Sequence, residues 1–114
     1  QCVGCAVAMS QVNDKPFIHS GNAKDYINIR DAGYQYISGW GLLPQNRRVI
    51  VPASLFIRNS GTFGHVGVVA EVYMDSDVNP SSFLAQECNW DAPGYFGNKK
   101  VWSFTDVTGF QVPL

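Results

Sequence analysis

From Gly64 to Tyr73 the chain has a period of two. Val66, Val68, Ala70 and Val72 fall on one side, and His65, Gly67, Val69, Glu71 and Tyr73 on the other. A period of two is that of a β-strand, and this is the clearest strand in the chain. A second is expected over Ser82 to Trp90, where Phe83, Ala85, Glu87 and Asn89 share a face. Arg48 to Val51 and Ala53 to Arg58 are β-branched or apolar runs split by Pro52, and both read as strands. Val101 to Phe104 and Phe110 to Val112 read as closing strands. Asn59-Ser60-Gly61 and Asp75 to Ser81 are turn regions, and Asp91 to Lys100, with Pro93, Gly94 and Gly97, is a loop.

The N-terminal third follows a different period. Cys2, Cys5, Ala6 and Met9 lie at i, i+3, i+4 and i+7, which predicts a short buried helix ending over Val12 to Pro16. Asn22 is placed to cap a second helix over Ala23 to Asp31, stopping near Gly33. Tyr26, Ile27 and Arg30 would share its face, the Arg stem lying along it. Tyr34 to Asn46, with Gly39, Gly41 and Pro44, reads as irregular chain with a short strand near Tyr34 to Ile37. Helices first and antiparallel strands after is an α+β pattern, not a βαβ alternation. Trp40, Trp90 and Trp102 are expected in the core or half-buried.

Length and composition narrow the class. The 114 residues suit one domain, and 46% apolar with 15% charged residues is an ordinary globular balance. A net charge of −1 without a basic or acidic block removes the electrostatic case for nucleic acid or an anionic membrane. No apolar run reaches transmembrane length. The chain begins without Met, one residue before Cys2, and is expected to be a fragment or processed part of something longer. Its three cysteines, Cys2, Cys5 and Cys88, cannot all pair within one chain, so at least one thiol is free or metal-bound.

Cys2 carries the sharpest chemistry. A thiol in the first turn of a helix faces unsatisfied N–H groups and the positive end of the dipole, which favours the thiolate nucleophile. Such a nucleophile needs a base, and the base needs an orienting group. Of the two histidines, His65 opens a regular strand and is anchored by its ladder, whereas His19 sits in an expected loop. If the Glu87 strand pairs with the His65 strand, Glu87 or Asn89 can accept the imidazole N–H, with Cys88 on the opposite face. Glu71 shares the His65 face but lies about 20 Å along the same strand. Two other readings of the thiols stand beside this one. Cys2 and Cys5 form C-x-x-C and, with Cys88 and His65, could make a Cys₃His zinc site. Cys5 and Cys88 also read as small buried hydrophobes, and no strand precedes C-x-x-C as in a thioredoxin-like motif.

Four motifs occur in order: Gln1-Cys2-Val3 at a helix start, Gly21-Asn22-Ala23-Lys24-Asp25, Gly64-His65-Val66-Gly67-Val68-Val69, and Glu87-Cys88-Asn89-Trp90. Together they resemble the CHAP domain, the cysteine, histidine-dependent amidohydrolase/peptidase family. The resemblance implies a papain-like α+β fold, N-terminal helices packed on an antiparallel β-sheet or half-barrel, as one domain over residues 1–114. It also implies cleavage of an amide bond in bacterial peptidoglycan, as an N-acetylmuramoyl-L-alanine amidase or an endopeptidase of a phage endolysin or bacterial autolysin. Cys2 matches the nucleophile, His65 the general base, Glu87 the group that orients the histidine, and Asn89 its usual polar companion. The Gln1 side-chain amide, with the Cys2 backbone N–H, is placed to serve as oxyanion donor.

Trp90 and the Tyr95-Phe96 loop are the candidate substrate wall, since aromatic faces suit sugar rings and peptide stems. Family members usually carry a further segment before the cysteine, which walls the cleft and in some phage members holds calcium; no residue here stands for that calcium site, and no cofactor is expected. Cys5 departs from the family, where a bulkier residue is common. The expected partner is bacterial peptidoglycan, with other domains or subunits of a larger lysin, and the expected place of action is the cell wall. The alternative is a non-catalytic papain-like wall-binding module, or one stabilised by zinc.

Overall fold

The computed structural model describes residues 23–40, 42–59, 64–74, 79–87 and 99–114. The expected first helix, Cys2, Cys5 and Cys88 lie outside these residues. In chain order the elements are η1 (Ala23–Ile27), β1 (Tyr34–Ser38), η2 (Pro44–Val49), β2 (Leu55–Arg58), β3 (His65–Met74), β4 (Pro80–Glu87), β5 (Lys99–Ser103), η3 (Phe104–Asp106) and β6 (Gly109–Pro113), where η denotes a 3₁₀ helix. The six strands form one sheet in the order β1-β6-β2-β3-β4-β5, every neighbouring pair antiparallel.

Both faces of the sheet are covered. Phe56, Val69, Phe83, Ala85, Trp102, Phe104, Phe110 and Val112 cluster on one side, and Leu55, Ile57, Val66 and Val68 pack with Tyr26 and Tyr34 on the other. Alternation along β2 and β3 produces this division, since neighbouring residues project to opposite faces. The first cluster is an aromatic mosaic: Phe83 meets Phe56, Phe104 and Phe110 at centroid distances of 5.4, 5.2 and 5.7 Å. Each fully buried ring contributes roughly 2–3 kcal/mol by removal of apolar surface from water. Side chains also reach across the sheet: Arg58 on β2 lies 5.0 Å over the Trp102 ring on β5, although two strands separate them.

Several expected elements change. The helix over Ala23 to Asp31 is only a 3₁₀ turn ending at Ile27. A continuing α-helix would use the Tyr26 carbonyl to accept the Arg30 N–H. That oxygen instead accepts a bond from Gln111 Nε2 at 2.8 Å, which also donates to Ile29 O at 3.0 Å. Arg30 Nη1 donates to Ile27 O and Ile29 O, both at 3.0 Å. The strand expected over Arg48 to Val51 is replaced by η2, where Pro44 sets the helical φ and Ile50 N–H donates to Arg47 O at 3.0 Å. The alternation of β3 holds only as far as Val69. A register shift between Val69 and Glu71 marks a β-bulge, after which Val72 pairs with Phe83 and packs on the Phe83 side. Glu71 therefore leaves the His65 face and hydrogen-bonds through its side chain to Tyr73. Trp102 is buried as expected, but Trp40 is 93% exposed.

Candidate active site

His65 is the first residue of β3, half-buried, with Arg58 opposite it on β2. Its imidazole meets the Phe56 ring edge-on, with centroids 5.8 Å apart at 67°, and lies 6.1 Å from the Trp102 ring. The sequence forces this arrangement through two glycines. Gly67 pairs with Phe56 across β2 and β3. A Cβ there would overlap the edge of the Phe56 ring and come within 2.9 Å of the Gln86 carbonyl oxygen. The missing side chain thus makes the space that the Phe56 ring occupies beside His65.

Gly64 does the same for the backbone. Its φ of +73° lies in the left-handed region, and a Cβ would sit 2.6 Å from the Lys24 backbone nitrogen. The start of η1 therefore rests against the residue preceding His65. Gln111 fastens the other end of η1 to β6 through the Tyr26 and Ile29 carbonyls. Gln111 escaped the sequence reading, although a polar residue inside the apolar run Phe110 to Val112 was its signal.

The condition set for the orienting group is met as far as the backbone goes. β4 pairs with β3, and Glu87, the last residue of β4, stands opposite Gly67. Gly67 is two residues along the same face from His65, so Glu87 occupies the register position diagonal to it, a spacing of roughly 7–8 Å between such neighbours. Cys2, Gln1 and Asn89 of the candidate site, and Trp90, Tyr95 and Phe96 of the candidate wall, lie outside the described residues. Among the described residues no group of three or more His, Cys, Asp or Glu side chains could hold a metal ion.

A cleft of about 670 Å³ opens beside this site, lined by Trp40, Leu43, Arg47, Arg58, Phe104 and Asp106 among others. Arg58 belongs both to the cleft and to the pair with His65. Thr108 fixes the cleft floor: it accepts the Gly39 N–H at 2.8 Å on its carbonyl, donates its own N–H to Ile57 O at 2.9 Å, and accepts the Asn59 N–H at 2.8 Å on its hydroxyl. None of these lining residues was singled out as functional from the sequence, since they come from three segments distant in the chain and carry no motif.

No protein-family model matches the sequence, and no curated protein matches it. Among solved structures, the fold is similar to that of a wild type endolysin, LysIME-EF1, with a TM-score of 0.68 and 20% sequence identity. The match covers 99% of this chain and 52% of that one, so the chain spans about half the length of the endolysin. At that identity the likeness is one of fold alone.

Proposed function

We propose that this chain is a peptidoglycan hydrolase of the CHAP type, cutting an amide bond by thiol catalysis. The observation that carries the reading is the register of β3 and β4, which sets the Glu87 backbone diagonal to His65. Two further observations support it: Gly64, next to His65, rests against Lys24 of the Gly21 to Asp25 motif, and the fold resembles that of an endolysin.

In the proposed cycle the Cys2 thiolate, paired with protonated His65, attacks a carbonyl of the wall peptide. The C–N bond breaks as the tetrahedral intermediate collapses, and His65 gives its proton to the leaving amine. His65 then takes a proton from water, whose oxygen attacks the thioester carbon; the C–S bond breaks, the acyl group leaves as a carboxylic acid, and the thiolate paired with protonated His65 is restored. Glu87 holds the imidazole in orientation, with Asn89 beside it, and the Gln1 amide with the Cys2 N–H binds the oxyanion. Trp90, Tyr95 and Phe96 form the substrate wall. The scissile bond is either the sugar-to-stem amide or one within the peptide.

The test is the pH dependence of thiol alkylation. Iodoacetamide should modify one cysteine, identified as Cys2 by peptide mapping, with a rate that titrates below the ordinary thiol pKa of about 8.5. His65→Ala should return that titration to the ordinary value. Three thiols alkylated alike, with an unshifted titration, would contradict the proposal.

A further inference from the structure

The cleft beside His65 has a charge pattern of its own. Arg47 is held by Nη1, which donates to Pro80 O at 3.0 Å, and its guanidinium lies 5.3 Å over the Phe104 ring. Its buried Nε–H has no hydrogen-bond partner. Arg58 is held against Trp102. Among the described residues neither guanidinium forms an ion pair. Two guanidiniums and the Asp106 carboxylate leave the lining with a local charge of +1. Trp40, at 93% exposure, offers a full indole face at the rim.

We infer that this cleft is a subsite for one carboxylate of the wall peptide, received by Arg47 and Arg58, with an apolar part of the substrate against Trp40. The assignment rests on the hydrolase reading and names the part of the substrate that is gripped beyond the scissile bond. Guanidinium forks match carboxylate geometry and hold it by charge-assisted hydrogen bonds. A single negative charge balances the lining, whereas a phosphate dianion would leave excess charge facing Asp106. Both arginines are fixed by stacking and Thr108 pins the floor, so little ordering opposes binding.

The test is calorimetry on the full chain carrying Cys2→Ala, which prevents turnover. The probe is a disaccharide-peptide fragment released from walls, as the free acid and with its carboxylates converted to carboxamides. The free acid should bind about tenfold more tightly or better, a difference of about 1.4 kcal/mol. Arg58→Gln and Arg47→Gln should remove the preference, and Asp106→Asn should tighten binding of the acid. Arg48→Gln, an exposed neighbour outside the cleft, should change nothing. Equal affinity for acid and amide, no binding of either, looser binding in Asp106→Asn, or equal losses in Arg48→Gln and Arg58→Gln would each overturn the assignment. So would glycerol phosphate displacing the fragment more effectively than propionate. If the wild-type chain cuts walls while acid and amide bind alike, the subsite fails and the hydrolase reading stands. An acid preference in a chain that never cuts walls would have the reverse meaning.

Discussion

The Phe56 ring stands edge-on to the His65 imidazole at 5.8 Å and occupies the space that Gly67 leaves by having no side chain. One buried ring thus joins the Phe83 cluster to the candidate base. Phe56→Ala should cost about 3–5 kcal/mol of stability. Phe56→Leu should fold but lose edge contact with the imidazole, and its activity on walls should fall more than its melting temperature predicts. Chemical denaturation and wall-cleavage rates measured on the same preparation check this. Full activity in Phe56→Leu would mean that the ring does not position His65.

Gly67→Ala tests the same contact from the other side. The added methyl overlaps the Phe56 ring and crowds the Gln86 carbonyl, so a loss of roughly 1–3 kcal/mol is expected. Adding Phe56→Leu should recover part of that loss, because the two sites are in contact and their effects are not additive. Strict additivity in a double-mutant cycle would contradict the packing described.

Gly64→Ala combines two penalties. A non-glycine residue in the left-handed region costs about 1–2 kcal/mol, and its Cβ would press on the Lys24 backbone. The start of η1 should move away from His65, and amide exchange at Lys24 and Asp25 should rise before the sheet core loosens. Unchanged protection there would show that Gly64 does not hold η1.

Alkaline pH should destabilise the fold through two tyrosines. Burial pushes the Tyr26 hydroxyl up to about 12, and burial, with the Asp31 carboxylate as a lesser cause, does the same for Tyr34. In the unfolded chain both ionise near 10. The folded state therefore binds more protons above that pH. The stability is complete below about pH 10 and falls as pH rises toward about 12. Tyr26→Phe should flatten the fall in denaturant midpoint between these values, and an unaltered slope would contradict it.

Much of the sheet could be read in the chain. The alternation through His65, Gly67 and Val69 and through Phe83, Ala85 and Glu87 marked β3 and β4, which pair as neighbours. The bulge after Val69 could not be read, because Val68, Val69 and Ala70 are consecutive apolar residues and a one-residue shift among them leaves no mark. Arg48 to Val51 carries β-branched residues, yet Pro44 and the Arg47 carbonyl set a 3₁₀ turn there. The helix expected after Asn22 was cut short by a partner some eighty residues away, Gln111. Trp40 was expected inside on residue type alone and lies outside. At the site, the pairing of the His65 and Glu87 strands was legible, whereas the meeting of Arg58 on β2 with Trp102 on β5, two strands away, was not.

The central claim is that Cys2 is the nucleophile of an amide-cutting wall hydrolase. It is tested most directly by following new free amines and new reducing sugar ends released from purified peptidoglycan by the wild-type chain and by Cys2→Ala. Circular dichroism confirms that the variant is folded. Wild type should release amines without reducing ends, and Cys2→Ala should release neither. Amine release persisting in the folded variant, or reducing ends appearing in place of amines, would contradict the account.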